Sequence, residues 1–281
     1  MPAPTLPIEN PAAAVEVRSD YAIRFDNVSI AFDEKVVLDS VSFQLAHGET
    51  KAIFGVAGSG KSTMLKLAIG LLRPDSGRIF VLGDEITHMS EQQLFELRRR
   101  VGIVFQESAL FDSLKVYENV GFRLMEEHIS LEEIERRVRE GLRFVELERT
   151  YDMFPSELSG GMRRRVAIAR AIITEPEVLL YDSPTGGLDP VTSNTIVELI
   201  MKQRDVYKTS ALLVTHRLQD AFTMATHQFD PKTNQMVALP KGQLCEVPMS
   251  FLILRDSKVI FDGDAHQLST SRDDYIREYI S

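Results

Sequence analysis

No stretch of this 281-residue chain comes near the roughly 18 consecutive apolar residues that a membrane-spanning helix needs, so it cannot form a membrane pore by itself. Cysteine is almost missing. Cys245 stands alone, which excludes an intrachain disulfide, a CxxC redox pair and a cysteine-rich metal centre. The first residues, MPAPTLPIENPAAAVEV, lack a basic segment followed by an apolar one, so no secretory signal is read there and the protein is expected to stay in the cytoplasm. Their proline and alanine content reads as a mobile leader over residues 1–20. Positive charge is in deficit: 32 Lys and Arg face 41 Asp and Glu, a formal −9. That balance argues against a broad electrostatic footprint for nucleic acid or anionic lipid. The local clusters Arg98–Arg100 and Arg163–Arg165 are read as solvated or phosphate-adjacent, and no nucleic-acid partner is expected.

Against these absences, 44% hydrophobic content is enough for a full core in one domain of this size. The segment GVAGSGKST matches GxxxxGK[ST], with Gly55, Gly60, Lys61 and Ser62 on the defining positions. It follows the strand-like Thr50–Phe54 and precedes an apolar-periodic helix, the context that a phosphate-binding loop requires. Glycines let the backbone turn tightly enough for successive N–H groups to face phosphate oxygens, and the helix offers its positive end to the same anion. Gly55, Val56, Ala57, Gly58, Ser59, Gly60, Lys61, Ser62 and Thr63 are therefore candidates for binding ATP. Lys61 is expected on the β/γ-phosphates and Ser62 on Mg²⁺. Downstream, VLLYD reads as a buried parallel strand ending in Asp182, at the strand end where ligand crevices lie. Asp182 is expected to support the Mg²⁺ shell opposite Ser62.

Tyr21–Leu45 alternates apolar and polar residues, which predicts antiparallel strands ahead of the loop. Helices are predicted over Ser62–Leu72, Ser90–Arg100, Ser130–Leu147 (with a Ser130/Glu133 capping box) and Val191–Val206. Strands are predicted at RIFVLGDEI, VGIVF, Val178–Tyr181 and Ala211–Val214. This alternation predicts an α/β fold with a parallel-sheet core and right-handed crossovers. Residues 228–248 are polar with little periodicity and are read as an insertion loop. FLILRDSKVIF predicts a hairpin turning near Asp256-Ser257. In the tail, 266–281, the residues Tyr275, Ile276, Tyr279 and Ile280 share one helical face. No internal repeat is evident, so one chain carries one set of nucleotide motifs.

LSGGM at Leu158–Met162, between that loop and YDSPTGGLDP, makes the chain resemble the ATP-binding subunits of ABC transporters over about Ala22–Gly263. The resemblance implies a P-loop ATPase over 21–265, with an antiparallel β layer and a helical subdomain at about 107–175. It implies that Ser159, Gly160 and Gly161 face the γ-phosphate held by a second copy of the chain, so that two chains sandwich two ATP molecules. It further implies that Gln106 touches Mg²⁺ and the attacking water, that Asp189 belongs to the dimer-contacting loop, and that His216 senses the γ-phosphate. Phe32 occupies the place of an adenine-stacking ring, with core packing as the alternative. Met162, FQESALFDSLKVYENV and GLDPVTSN look like the ATPases of Mla/Mce-type lipid systems. Implied partners are an integral-membrane permease, met through Glu107–Val120, and a lipid-binding Mce-domain protein, at the cytoplasmic face of the inner membrane. The tail helix either braces the dimer or packs on its own subunit.

One position departs from that family. Where it places a glutamate to polarise the attacking water, this chain has Ser183, a poor base at neutral pH. Retained ATP binding with slowed hydrolysis is expected, and a non-hydrolytic clamp is the alternative to a transport motor. A soluble ABC protein acting on DNA or ribosomes would carry a long coiled-coil insertion or tandem nucleotide domains, and neither is present.

Overall fold

Two sheets of different character, built from different residue patterns, position the site. In the computed structural model of the protein, residues 20–127, 129–240 and 245–280 are described, the last three by backbone alone. The leader 1–19 lies outside them. Strands β1 (Tyr21–Phe32) and β2 (Lys35–Ala46) pair antiparallel and alternate buried with exposed residues, as one-sided burial demands. Strand β3 (Thr50–Gly55) belongs elsewhere: all six of its residues are buried. Helix α1 (Lys61–Ala68) follows it, and β4 (Ser76–Val81) and β5 (Asp84–Glu85) then complete an antiparallel layer in the order β2-β1-β4-β5.

Helix α2 (Glu91–Arg98) leads to β6 (Val101–Val104). Helices α3 (Val116–Glu126), α4 (Leu131–Phe144) and α5 (Gly160–Ile172) then pack around Val120, Ile134, Val138, Leu142, Val166 and Ile168. Strand β7 (Val178–Asp182), helix α6 (Pro190–Tyr207), strand β8 (Ser210–Val214) and helix α7 (Leu218–Thr226) return the chain to the core. Strands β9 (His227–Asp230) and β10 (Gln235–Ala238) form a separate hairpin, and β11 (Met249–Arg255) with β12 (Lys258–Asp264) forms another. The core sheet runs β12-β11-β3-β8-β7-β6, with β12 its only antiparallel member among the described residues. Its inner strands are apolar runs because helices cover both faces. Helices α8 (Ala265–Ser269) and α9 (Asp274–Ile280) close the chain.

Four expectations need correction or completion. Helix α1 stops at Ala68, four residues short of Leu72. Gly70 turns at φ +65° with Leu94 packed where a Cβ would stand, and Arg98 takes the Ile69 and Gly70 carbonyls. The Ser130/Glu133 box is half formed. Ser130 accepts from the Glu133 N–H at 3.3 Å, but the Glu133 carboxylate is held by Arg136 and Arg137, two cations that outcompete one backbone N–H. Residues 228–248 are not simply a loop, for β9 and β10 occupy their first half. The tail helix packs on its own subunit through Ile276, buried with Phe54, Phe251 and Leu268. The Tyr279 and Ile280 side chains lie outside the described residues.

The two half-formed features yield two predictions. The Arg136 and Arg137 guanidinium groups hold the Glu133 carboxyl down at about 2. Its folded value lies below the unfolded one, so its stabilising effect is present above pH ~4.5 and is lost as pH falls through about 2. Glu133→Gln is expected to flatten the acid limb of a helicity titration over that window, by a small amount because the groups are exposed. The β9-β10 hairpin is tied to α6 by Asp205, which accepts from the Phe229 N–H at 2.7 Å and pairs with the buried Arg204 at 2.6 Å. Asp205→Ala leaves that guanidinium uncompensated, at a cost of about 3–5 kcal/mol. Thermal melts are expected to fall by roughly 10 °C, at about 2–4 °C per kcal/mol for a chain of this size.

Candidate functional site

Parallel pairing brings four strand ends to one edge. β3 ends at Gly55, β8 at Val214, β7 at Asp182 and β6 at Val104, with Ile53 opposite Val214, Asp182 opposite Val214 and Val104 opposite Tyr181. Every loop leaving that edge carries a residue singled out in the sequence. The loop after β3 exposes Val56, Ala57 and Gly58 at its tip and buries Ser59 and Gly60 at its base. Gly60 is required there: its φ is +96°, and a Cβ would stand 2.7 Å from the Leu38 side chain and 2.9 Å from the Val37 carbonyl. It also occupies the N-cap of α1 without a side-chain cap, so the first N–H groups of that helix stay available to an anion.

Lys61 crosses this loop. Its Nζ donates to the Gly55 and Val56 carbonyls, each at 2.8 Å, and to Ser59 Oγ at 3.3 Å. Burial pushes its pKa down while the Asp182 charge pulls it up. Ser62 Oγ donates to Asp182 Oδ1 at 3.0 Å, so a hydroxyl and a carboxylate 120 residues apart share one point. Thr63 continues the first turn of α1. An all-oxygen pair beside an anion cradle suits a hard cation that brings its own waters and phosphate oxygens. No cluster of three or more His, Cys, Asp or Glu that could hold a metal occurs among the described residues.

Ser183 follows Asp182 in a left-handed conformation, φ +47°, and is 9% exposed. Its N–H donates to the Val214 carbonyl and its carbonyl accepts from the Gly186 N–H, both at 2.9 Å. Gln106 leaves β6 toward the same place: its Nε2 lies 3.8 Å from where a Cβ on Gly186 would stand. His216, two residues beyond β8, is exposed at the same edge. Behind them Thr185 Oγ1 donates to the buried Asp220 carboxylate at 2.7 Å. Phe32 ends β1 and is 44% exposed, so core packing does not account for it.

Ser159, Gly160 and Gly161 lie apart, at the start of α5. Ser159 accepts from the Met162 N–H at 3.3 Å, leaving its hydroxyl hydrogen and the Gly160 backbone at the surface. Asp189 caps the neighbouring α6, accepting from the Val191 and Thr192 N–H groups at 3.0 Å each. With the Thr192 hydroxyl, these bonds hold its carboxyl below the usual range. The two helix starts touch: a Cβ on Gly161 would fall 2.3 Å from Thr192 Cγ2. Among the described residues no hydrogen bond joins Ser159–Gly161 to the Gly55–Thr63 loop of the same chain.

Of the two arginine clusters only Arg164 is buried; Arg100 and Arg163 are exposed, the other three partly so, and each makes a bond to a carbonyl or a carboxylate. Arg98 and Arg163 bond backbone carbonyls, Arg99 pairs with Glu127, and Arg100 pairs with Glu177. Arg164 and Arg165 reach the carbonyls of Ser183 and Val145. Sequence reasoning named Arg164 only as part of a basic run and missed Arg170 and the Thr185–Asp220 pair, since such a bond is recognisable only from the partner it reaches. A cavity of about 560 Å³ lies at the opposite edge of the sheet, between His47, Phe144, Tyr207 and Lys208, and includes none of the candidate residues. The candidate site is instead an open shelf.

The ABC transporter family model matches residues 38–186, from the β layer through the Ser183 turn. The chain belongs to the ABC transporter ATP-binding family. It is 38% identical to protein TRIGALACTOSYLDIACYLGLYCEROL 3, chloroplastic, of Arabidopsis thaliana, over 94% of this chain and 75% of that one. It is 32% identical to the intermembrane phospholipid transport system ATP-binding protein MlaF of Haemophilus influenzae, over 89% and 87%. It is also 38% identical to the methionine import ATP-binding protein MetN of Mannheimia succiniciproducens, over 80% of this chain and 64% of that one. Among solved structures, the dimeric post-hydrolysis state of the ATP-binding cassette MJ0796 bound to ADP and Pi superposes with TM-score 0.72 at 29% identity, covering 86% and 98%. This is therefore an ABC ATPase cassette, of the family that hydrolyses ATP, and no described helix is long and apolar enough to cross a membrane.

Proposed function

We propose that this chain works as a pair, each copy supplying half of two ATP sites, and that closure of the pair drives a membrane permease. One observation carries the reading: the cradle of Lys61, Ser62 and Asp182 is complete at the sheet edge, yet Ser159 and Gly160 stand exposed with no hydrogen bond to it among the described residues of the same chain. A second anion-binding helix start aimed outward needs a second copy to be of use. In this reading Gly55–Thr63 wraps the phosphates, Lys61 holds the β/γ-phosphates, and Phe32 stacks on adenine. Ser62, Asp182 and Gln106 hold Mg²⁺, which supplies charge neutralisation on the phosphate oxygens. The partner's copy of Ser159–Gly161 closes over the γ-phosphate, with Asp189 at the seam, and His216 reads whether that phosphate is present. Light scattering is expected to give a dimer at saturating MgATP and a monomer with ADP. Single molecules at saturating MgATP, alone and with the permease, would refute it.

Lipid is the cargo this reading favours. The relatives named for a galactolipid and for phospholipid transport match over 94% and 89% of this chain, whereas the methionine import proteins match over 70–86%. The exposed Phe95 and Phe111 rings, the latter 4.9 Å from Phe122, offer an apolar seat beside the Gln106 loop for a permease. The assembly would sit at the cytoplasmic face of the inner membrane, with an Mce-domain protein as the further partner. Purification of the assembled complex is expected to bring along an integral-membrane protein and phospholipid detectable by mass spectrometry. Copurified methionine without phospholipid would redirect the cargo.

Ser183 favours a second reading, in which ATP controls association and is scarcely hydrolysed. Phosphate release by the assembled complex separates the two.

A further inference from the structure

Helix α5 sends one arginine from each of its halves to the loops at the strand edge, Arg164 buried and Arg170 partly so. Arg164, 5% exposed, donates from Nη1 to the Ser183 carbonyl at 3.1 Å, and its buried Nε has no acceptor among the described residues. Arg170 donates from Nη1 to the Ala109 carbonyl at 2.7 Å and from Nη2 to the Ser108 carbonyl at 2.9 Å. All three receiving residues are left-handed: φ is +47° at Ser183, +65° at Ser108 and +47° at Ala109. Backbones of that kind persist only where their surroundings hold them. The same helix begins at the Ser159 cap. Ser159 and Arg164 are five residues apart, about 7.5 Å along the axis, so a displacement of the helix start is carried to Arg164 as by a rod.

We propose that Arg164 is a positioning residue that makes α5 the link between the two ATP sites. A nucleotide carried by the second chain presses on Ser159–Gly161, and Arg164 passes the movement of α5 to the Ser183 backbone beside this chain's own nucleotide. The inference rests on the paired-site reading above. It gives a reason for burying a guanidinium with one nitrogen unmatched: such a group costs stability at rest, and a small shift of α5 changes which acceptors it reaches. Arg170 holds the Gln106 loop from the same helix, so both catalytic-edge loops follow one body.

The test uses the full chain, following phosphate release against MgATP concentration for the parent, Arg164→Lys and Arg164→Gln. Lysine keeps the charge without the planar fork, and glutamine keeps one donor without the charge. Both variants are expected to melt within a few degrees of the parent and to bind MgATP as it does at low protein concentration. Their Hill coefficient is expected to fall from about 2, the number of sites, to about 1. Dimerisation on MgATP with an unchanged coefficient in either folded variant overturns the link and leaves the pairing intact. A parent that stays monomeric overturns the pairing and the link with it. Should neither variant fold, amide exchange in the parent decides. Protection of Ser183–Gly186 by MgATP is expected only at concentrations that permit the dimer, and equal protection in the monomer overturns the link.

Discussion

Lys61→Met is expected to remove most ATP affinity while leaving the fold in place. In the empty loop the ammonium already spans the site, donating to two carbonyls and one hydroxyl of its own loop. Those acceptors lie within a turn partly open to water, so their loss costs little stability. Phosphate oxygens are stronger acceptors than carbonyls, and the burial that lowers the Lys61 pKa also strengthens its pull on an incoming anion. Two charge-assisted hydrogen bonds at about 1.5–3 kcal/mol each amount to roughly 10²- to 10⁴-fold in dissociation constant. Methionine has nearly the same length and no charge, so packing is preserved. Calorimetric titration with MgATP reads the effect directly, and a loss below tenfold would show that the α1 N-terminus holds the phosphates without it.

Ser183→Glu is expected to raise steady-state ATPase activity of the assembled complex. The backbone at 183 is already left-handed, so serine and glutamate bear a similar conformational cost of about 1–2 kcal/mol and the exchange adds no new strain. Bonds to Val214, Gly186 and Arg164 fix that backbone, which fixes where the longer side chain starts. From there a carboxylate extends toward the space beside Gly186 and Gln106 and can orient and polarise a water, which the serine hydroxyl does poorly. General-base assistance is worth roughly 10²- to 10⁴-fold in rate. MgATP binding should change little, since Lys61 and the loop are untouched. A rate that stays level or falls would mean that position 183 does not limit turnover and that the chain acts as a clamp for another reason.

Much of this was legible along the chain because the residues concerned obey local rules. The Gly60–Lys61–Ser62 run needs one turn and one helix start, both set within nine residues. VLLYD and SALLV are apolar without alternation, which only strands covered on both faces require. Asp256-Ser257 turns β11 into β12 with φ of +48° and +66°, as two polar residues between apolar runs suggest. Where local rules conflicted with distant partners, the partners won. Helix α1 ends early because Gly70 turns away and Arg98, from a later helix, takes the Ile69 and Gly70 carbonyls just past its end. Polar residues after His227 form a hairpin because Asp205, on α6, supplies an acceptor for the Phe229 N–H.

Sequence alone determined the family, the phosphate loop, the acidic strand end and the serine where a carboxylate is customary, because each is a matter of residue type at fixed spacing. Tertiary structure decided what the arginines do. Charge and spacing describe Arg163–Arg165 as one basic run, and only packing sends three neighbours to three different carbonyls, one of them at the strand edge. A guanidinium's role depends on the acceptor it meets when water is excluded. For Arg164 and Arg165 that acceptor comes from 19 and 20 residues away, beyond the reach of any local pattern.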